Sequence, residues 1–292
     1  MAQFLQLVVT GITMGAIYSL IGLGYVTIYK TSHVVNMAQG SFVMMGGFFG
    51  FSLLTEAGLP YWAAIILTLI AVMIISVGMY LLVLKPIMKT SLVNMILATV
   101  GLSLFFEALV LLIWGGYGKA VPAFTGDQMW RVGGVRIAPQ NLWVIGLMIL
   151  IFLALYFLSS RTRIGKQMTA TATNPAAARK CGISTNKVII LAFAISSLIG
   201  AIGGLAITSL IPMTYMSGGT WGLNGFIGAI LGGWGSSGGA VLGGLALGLI
   251  QSLLTGVLPT GWENAIAFAL LILVLYFRPQ GILGTTMSEG EM

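Results

Sequence analysis

Four uncharged polar side chains and one carboxylate interrupt apolar stretches of this chain: Asn36, Gln39 and Ser41 close together, then Glu107, then Asn224. In apolar surroundings, amides and hydroxyls either tie neighbouring helices together, at about 0.6 kcal/mol per bond, or line a route for a hydrophilic solute. Both readings stay open for Asn36, Gln39, Ser41 and Asn224. A carboxylate such as Glu107 is costly there unless it is paired, protonated or reaches the outer surface. Bond-breaking chemistry has little to work with. One histidine (His33), one cysteine (Cys181) and six acidic residues leave no material for a His-rich metal site, an intramolecular disulfide or a nucleophile–base pair. No H-E-x-x-H, C-x-x-C or G-x-S-x-G occurs, and Gly118-Lys119 and Gly165-Lys166 lack the rest of a phosphate loop. The residues name no catalytic and no metal site.

The elements that must position these groups follow from composition. Of 292 residues, 58% are hydrophobic and 7% charged, against roughly 25% charged in a soluble domain, and the mean hydropathy is +1.03. Such a chain cannot face water on all sides, which places it in a bilayer. Apolar runs at 4–29, 34–54, 61–84, 92–114, 141–158, 188–211, 222–234, 240–258 and 263–277 predict an all-α, polytopic helical bundle of about eight or nine membrane segments. The run at 222–234 is short and rich in glycine, the mark of a broken or re-entrant helix. The N-terminus has no basic leader region and reads as the start of the first membrane helix.

The net charge of +7 reflects sidedness rather than a nucleic-acid partner. Lys30, Lys85, Lys89, Arg161, Arg163, Lys166, Arg179, Lys180, Lys187 and Arg278 fall on one side, and Lys119, Arg131 and Arg136 on the other. The first group is cytoplasmic by the positive-inside rule. The C-terminal tail is then inside, and nine spans put the N-terminus outside. One domain spans 1–292, with an outer loop at 115–140 and a cytoplasmic loop at 159–187. In the outer loop, Trp130 to Arg136 reads as a hairpin turning at Gly133-Gly134. In the cytoplasmic loop, Asn174 reads as an N-cap, Pro175 as the first helical residue, Arg179-Lys180 as the last turn and Gly182 as the stop. A short helix on the cytoplasmic face follows.

Pairs such as Gly11/Gly15, Gly46/Gly50, Gly200/Gly204 and Gly244/Gly248 permit close helix packing in lipid. An asparagine ahead of a glycine-interrupted run occurs twice, at Asn36 with Gly46-Gly47 and at Asn224 with Gly232-Gly233, which suggests two related repeats. Asn174-Pro175-Ala176 also spells the aquaporin triplet. It occurs once, in the most basic loop, where helix capping accounts for it.

With these landmarks in order, the chain resembles the LivH-type permease of the branched-chain amino acid ABC transporter family. Gly15-Ala16-Ile17-Tyr18-Ser19-Leu20 and Gly24-Tyr25-Val26-Thr27-Ile28-Tyr29 are similar to the family's first helix. Val35-Asn36-Met37-Ala38-Gln39-Gly40-Ser41-Phe42 resembles its N-F-A-H-G-E-F segment, with Gln39 and Ser41 in place of titratable groups. The stretch from Gly165 to Phe193, the run Gly232 to Ala240 and the tail Arg278-Pro279-Gln280-Gly281-Ile282-Leu283-Gly284 resemble its coupling loop and C-terminal pattern. The resemblance implies a multi-pass protein of the bacterial inner membrane importing branched-chain or related amino acids. It implies a second related permease chain (a heterodimer), two cytoplasmic ATPase subunits that bind ATP and Mg, so that this chain carries no cofactor, and a periplasmic binding protein. It makes Asn174, Pro175, Ala178, Arg179 and Gly182 the ATPase-coupling residues, while Asn36, Gln39, Ser41 and Asn224, as polar groups within apolar runs, stay candidates for the substrate path. Urea, short amides or carboxylic acids remain as substrates within this architecture. A stand-alone carrier or channel remains outside it.

Overall fold

The computed structural model describes residues 2–283 apart from Lys89, Asp127, Gly133 and 258–260. Among the described residues, six helices are long and apolar enough to cross a membrane, one of them running from Tyr61 through Ile87. They are α1 (Ala2–Ser32), α3 (Tyr61–Met79), α5 (Leu92–Trp114), α6 (Pro139–Arg161), α9 (Thr185–Thr208) and α11 (Ser237–Thr255). The path of α3 continues through a π-helical turn, Tyr80–Leu84, into the short α4 (Lys85–Ile87). Three shorter apolar helices, α2 (Gln39–Phe51), α10 (Ser217–Gly232) and α12 (Glu263–Phe277), complete the membrane part. At the end of the bundle that carries most of the lysines and arginines, α7 (Arg163–Thr173) and α8 (Pro175–Lys180) connect α6 to α9. The expected fold class holds.

The central post is α1, packed on α11, α9, α10 and α6, while α2 lies across α9 and α10. Glycine makes these seams. A Cβ on Gly15 would come within 2.7 Å of Leu245 Cα, and one on Gly11 within 2.9 Å of Leu249 Cα. On the same seam the Ser19 hydroxyl donates to the carbonyls of Gly15 at 2.7 Å and Val241 at 2.9 Å. In lipid, close backbone approach of this kind supplies the packing that apolar burial supplies in water.

The second run, at 34–54, is not one straight helix. His33 takes a left-handed backbone, φ 54°, residues 33–38 fold back without helix, and α2 begins only at Gln39. The Ser196 hydroxyl bridges the Gly24 carbonyl and Gln39 Oε1, at 2.8 and 2.7 Å. So α2 starts level with Gly24, which at 1.5 Å rise per residue is about 12 Å from the C-terminal end of α1. The glycine-rich run at 222–234 is likewise a short helix, but it begins earlier, at Ser217. The rings of Trp221 and Tyr18 lie 5.9 Å apart, which sets the first turns of α10 beside the middle of α1.

The hairpin forms between β1 (Trp130–Val132) and β2 (Val135–Ile137), with Gly134 at φ 84°; Gly133 lies outside the described residues. Arg136 N–H donates to Gln6 Oε1 at 2.9 Å, and Gln6 Nε2 donates to the Arg136 carbonyl at 3.1 Å. These bonds hold the N-terminus of α1 on the side of the hairpin. At the other end of the bundle, Ile282 and Leu283 N–H groups donate to the carbonyls of Leu231 and Gly232 at 2.9 and 2.8 Å. The tail thereby satisfies the last carbonyls of α10. Lys89 and Gly284, named above, lie outside the described residues.

Candidate translocation path and coupling helix

Two helices that start inside the membrane part bring their N-terminal turns together. A Cβ on Gly40, the second residue of α2, would run into the Gly218 carbonyl and lie 2.7 Å from Gly222 Cα. The first turns of α2 and α10 therefore meet near mid-depth. A helix start leaves N–H groups without intrahelical partners and carries partial positive charge. Glu107 of α5 answers that charge: its carboxylate stands close to the Gly219 backbone, and a Cβ on Gly219 would lie 3.3 Å from its Oε1. Gly219 and Thr220 are exposed, and Glu107 is half-buried.

The predicted path residues fall around this junction in two networks. Gln39 is buried; its Nε2 donates to the Ser196 carbonyl at 3.1 Å and its Oε1 accepts from the Ser196 hydroxyl. Ser41 pairs with Ser103 of α5 at 3.1 Å. Asn36 lies on the non-helical segment before α2, where its Oδ1 accepts from Ala38 N–H at 3.2 Å and its buried Nδ2 has no partner. Asn224 sits mid-way along α10 and faces away from these three. Its Oδ1 accepts from Gln251 of α11 at 3.0 Å, and its Nδ2 donates to the Thr220 carbonyl at 3.0 Å. Above it opens a cavity of about 270 Å³ lined by Tyr18, Trp221, Gln251 and Ser252 among others. Asn36 and Asn224 thus hold unlike places, one ahead of its helix and one inside it, and the internal echo does not mark equivalent positions.

Helix α8 is built as its residues dictate. Asn174 Oδ1 accepts from Ala176 and Ala177 N–H groups at 3.0 and 2.9 Å. At the other end Gly182 takes φ 81°, and the N–H groups of Gly182 and Ile183 close back on the Arg179 and Ala178 carbonyls at 3.0 Å each. This is a complete αL stop. Ala178 is buried, whereas Pro175, Arg179 and Lys180 are exposed. The preceding α7, which the sequence reading passed over as loop, is capped by the Thr162 hydroxyl accepting from Gly165 N–H at 3.1 Å.

The family of branched-chain amino acid transport system permease components matches residues 7–275. The chain belongs to this family. It is 30% identical over 98% of its length to the high-affinity branched-chain amino acid transport system permease protein BraD of Pseudomonas aeruginosa, covering 98% of that protein. To the corresponding LivH of Escherichia coli it is 28% identical, covering 98% of this chain and 97% of the relative. A probable LivH of Methanocaldococcus jannaschii is 27% identical over 92% of this chain and 89% of its own.

This permease is therefore a multi-pass inner-membrane protein and the membrane component of an ABC import system. Its sequence hid several groups that the fold brings forward. Ser196 and Gln251 are polar residues in apolar helices, the same signal that singled out Gln39 and Asn224, and they prove to be the partners of those two. Gly219 carried no signal, since its place beside Glu107 depends on the broken start of α10.

Proposed function

We propose that this permease carries branched-chain or chemically related amino acids through a path along the outward face of α5 and the first turns of α10, closed on its other side by a second, related permease chain. The observation that carries the reading is Glu107. It sits within a membrane helix, half-exposed, beside the exposed Gly219 and Thr220. A carboxylate turned toward hydrocarbon is expensive, so such groups face a protein interior or a watered route. The same place offers a carboxylate for an α-ammonium group and the partial positive charge of a helix start for an α-carboxylate. An amino acid zwitterion needs both, whereas a simple carboxylic acid would be repelled by Glu107. Asn36, with a spare buried donor, Gln39 and Ser41 support the floor of this path, and Asn224 braces α10 from behind.

In this reading two cytoplasmic ATPase subunits bind ATP and Mg and grip α8 at Asn174, Pro175, Arg179 and Gly182, while the buried Ala178 seats the helix on the permease. A periplasmic binding protein delivers the substrate, and this chain itself holds no cofactor. A rigid, double-capped helix at the cytoplasmic face supports that role, because force can pass only through a segment that does not yield. The test is co-expression with the neighbouring permease and ATPase chains, purification through a tag on this chain, and ATP hydrolysis in nanodiscs with the binding protein. Co-purification and hydrolysis stimulated by leucine, isoleucine or valine are expected. A chain that purifies alone and moves solute in liposomes would overturn the reading.

A further inference from the structure

A pocket of about 570 Å³ opens between the C-terminal end of α1, the α3–α4 end, α7, α8 and α9. Its cations are Lys85 and Arg179, and no acidic side chain lines it. Among the described residues the acids are Glu56, Glu107 and Glu263. All three belong to the outer half of the bundle, so among the described residues no acid stands on the side of these cations. Thr171, only 2% exposed, also lines the pocket, and its hydroxyl has no hydrogen-bond partner. Asn186, which also lines the pocket, uses its Oδ1 to accept from the Tyr80 hydroxyl at 2.9 Å, and its amide N–H groups are not engaged by that bond. His33, strained at φ 54°, is held by a 3.2 Å contact from Nε2 to the Ala172 carbonyl. Cations, a spare hydroxyl and a spare amide around one space form a receptor for an oxyanion with several acceptor oxygens.

We infer that this pocket binds the phosphate of an anionic phospholipid of the cytoplasmic leaflet. The lipid source is favoured by what lies directly above Lys85. Leu81 and Leu82, 38% and 79% exposed, turn an apolar face outward at the end of the α3 path. A headgroup in the pocket would therefore have its acyl chains along that face. Basic pockets between membrane helices on this side are suited to anionic headgroups. Because Arg179 belongs to α8, occupancy fixes α8 against α4 and α9. The inference stands whichever solute the permease carries.

The test uses the full chain in phosphatidylcholine nanodiscs with a solvatochromic dye on Cys181, its single, exposed cysteine, next to α8. Titrating phosphatidylglycerol into the discs is expected to give a saturable spectral shift. Lys85→Gln and Arg179→Gln are each expected to weaken the apparent lipid affinity about fivefold. Thr171→Val keeps every charge and weakens it less. Lys180→Gln and Lys187→Gln remove the same charge outside the pocket and leave the midpoint where it was. Equal weakening by the inner and outer substitutions would reduce the effect to surface potential and overturn the site. Saturation by inorganic phosphate in pure phosphatidylcholine discs would make free phosphate the occupant and overturn the lipid assignment. No shift in the wild type, with its melting temperature in the discs unchanged by phosphatidylglycerol, would overturn both.

Discussion

The best-buried spanning helix and the least-buried one are α9 and α6, with 72% and 11% of their most apolar stretch buried. They do not differ in the direction a soluble protein would lead one to expect, for α6 is at least as apolar as α9. The contrast extends across the molecule. Around α1, α9, α10 and α11, glycine, alanine and serine let backbones touch, while α3, α5 and α6 turn Ile74, Leu112 and Leu150 outward. Lipid is as apolar as leucine, so leucine gains little by moving inward, and small residues select the inside through contact and hydrogen bonds. Polar residues mark the rest: they sit either within the glycine-packed centre or on the α5 face beside α10.

Equal substitutions on the two sides break or sharpen this contrast. Gly15→Leu forces α1 away from Leu245, and overpacking of about 3 kcal/mol or more is expected to abolish a monodisperse detergent-solubilised chain on size-exclusion chromatography. Gly146→Leu on α6, where nothing lies within 4 Å of the added carbon, is expected to leave the elution profile unchanged. If both elute alike, the division into glycine-packed centre and lipid-facing shell is wrong.

The next effect is on coupling rather than on fold. Ala178→Asp buries a charge under α8, and Gly182→Pro is incompatible with φ 81°. Both are expected to leave elution intact yet abolish uptake in reconstituted vesicles. Wild-type uptake in both variants would remove α8 from the mechanism.

Glu107→Gln keeps a side-chain oxygen beside Gly219 but removes the charge. Loss of one charge-assisted bond to substrate, about 1.5 kcal/mol or more, predicts uptake reduced at least tenfold, with affinity of the binding protein unchanged. Undiminished uptake would return Glu107 to a purely structural role.

The smallest effect is expected at Gln39→Ala, which removes two bonds worth about 0.6 kcal/mol each. A melting temperature lowered by a few degrees with near-normal uptake is expected. The reverse, normal melting with lost uptake, would move Gln39 from helix packing into the path.

Much of the architecture was legible without coordinates. Most span boundaries fall within a few residues of the apolar runs, because bilayer thickness sets a length that hydropathy reports. The hairpin and α8 were equally readable, since Asn174, Pro175 and Gly182 act on backbone groups within four residues of themselves. The break before α2 was not. Residues 34–38 are apolar enough to continue a span, and only the packing of Gln39 against Gly24 and Ser196 requires the chain to fold back there. The early start of α10 was missed for a related reason: Ser217 to Thr220 look like loop by composition, yet Gly218 must lie against Gly40.

By itself, then, the sequence determined the solvent, the helical class and the short helix α8, all of which depend on composition or on neighbours along the chain. Tertiary structure alone decided which polar groups meet. Gln39 finds Ser196, Asn224 finds Gln251 and Glu107 finds the Gly219 backbone because glycine seams bring separate helices to backbone contact. Those pairings join residues 27 to 157 positions apart, a distance over which no local pattern carries information.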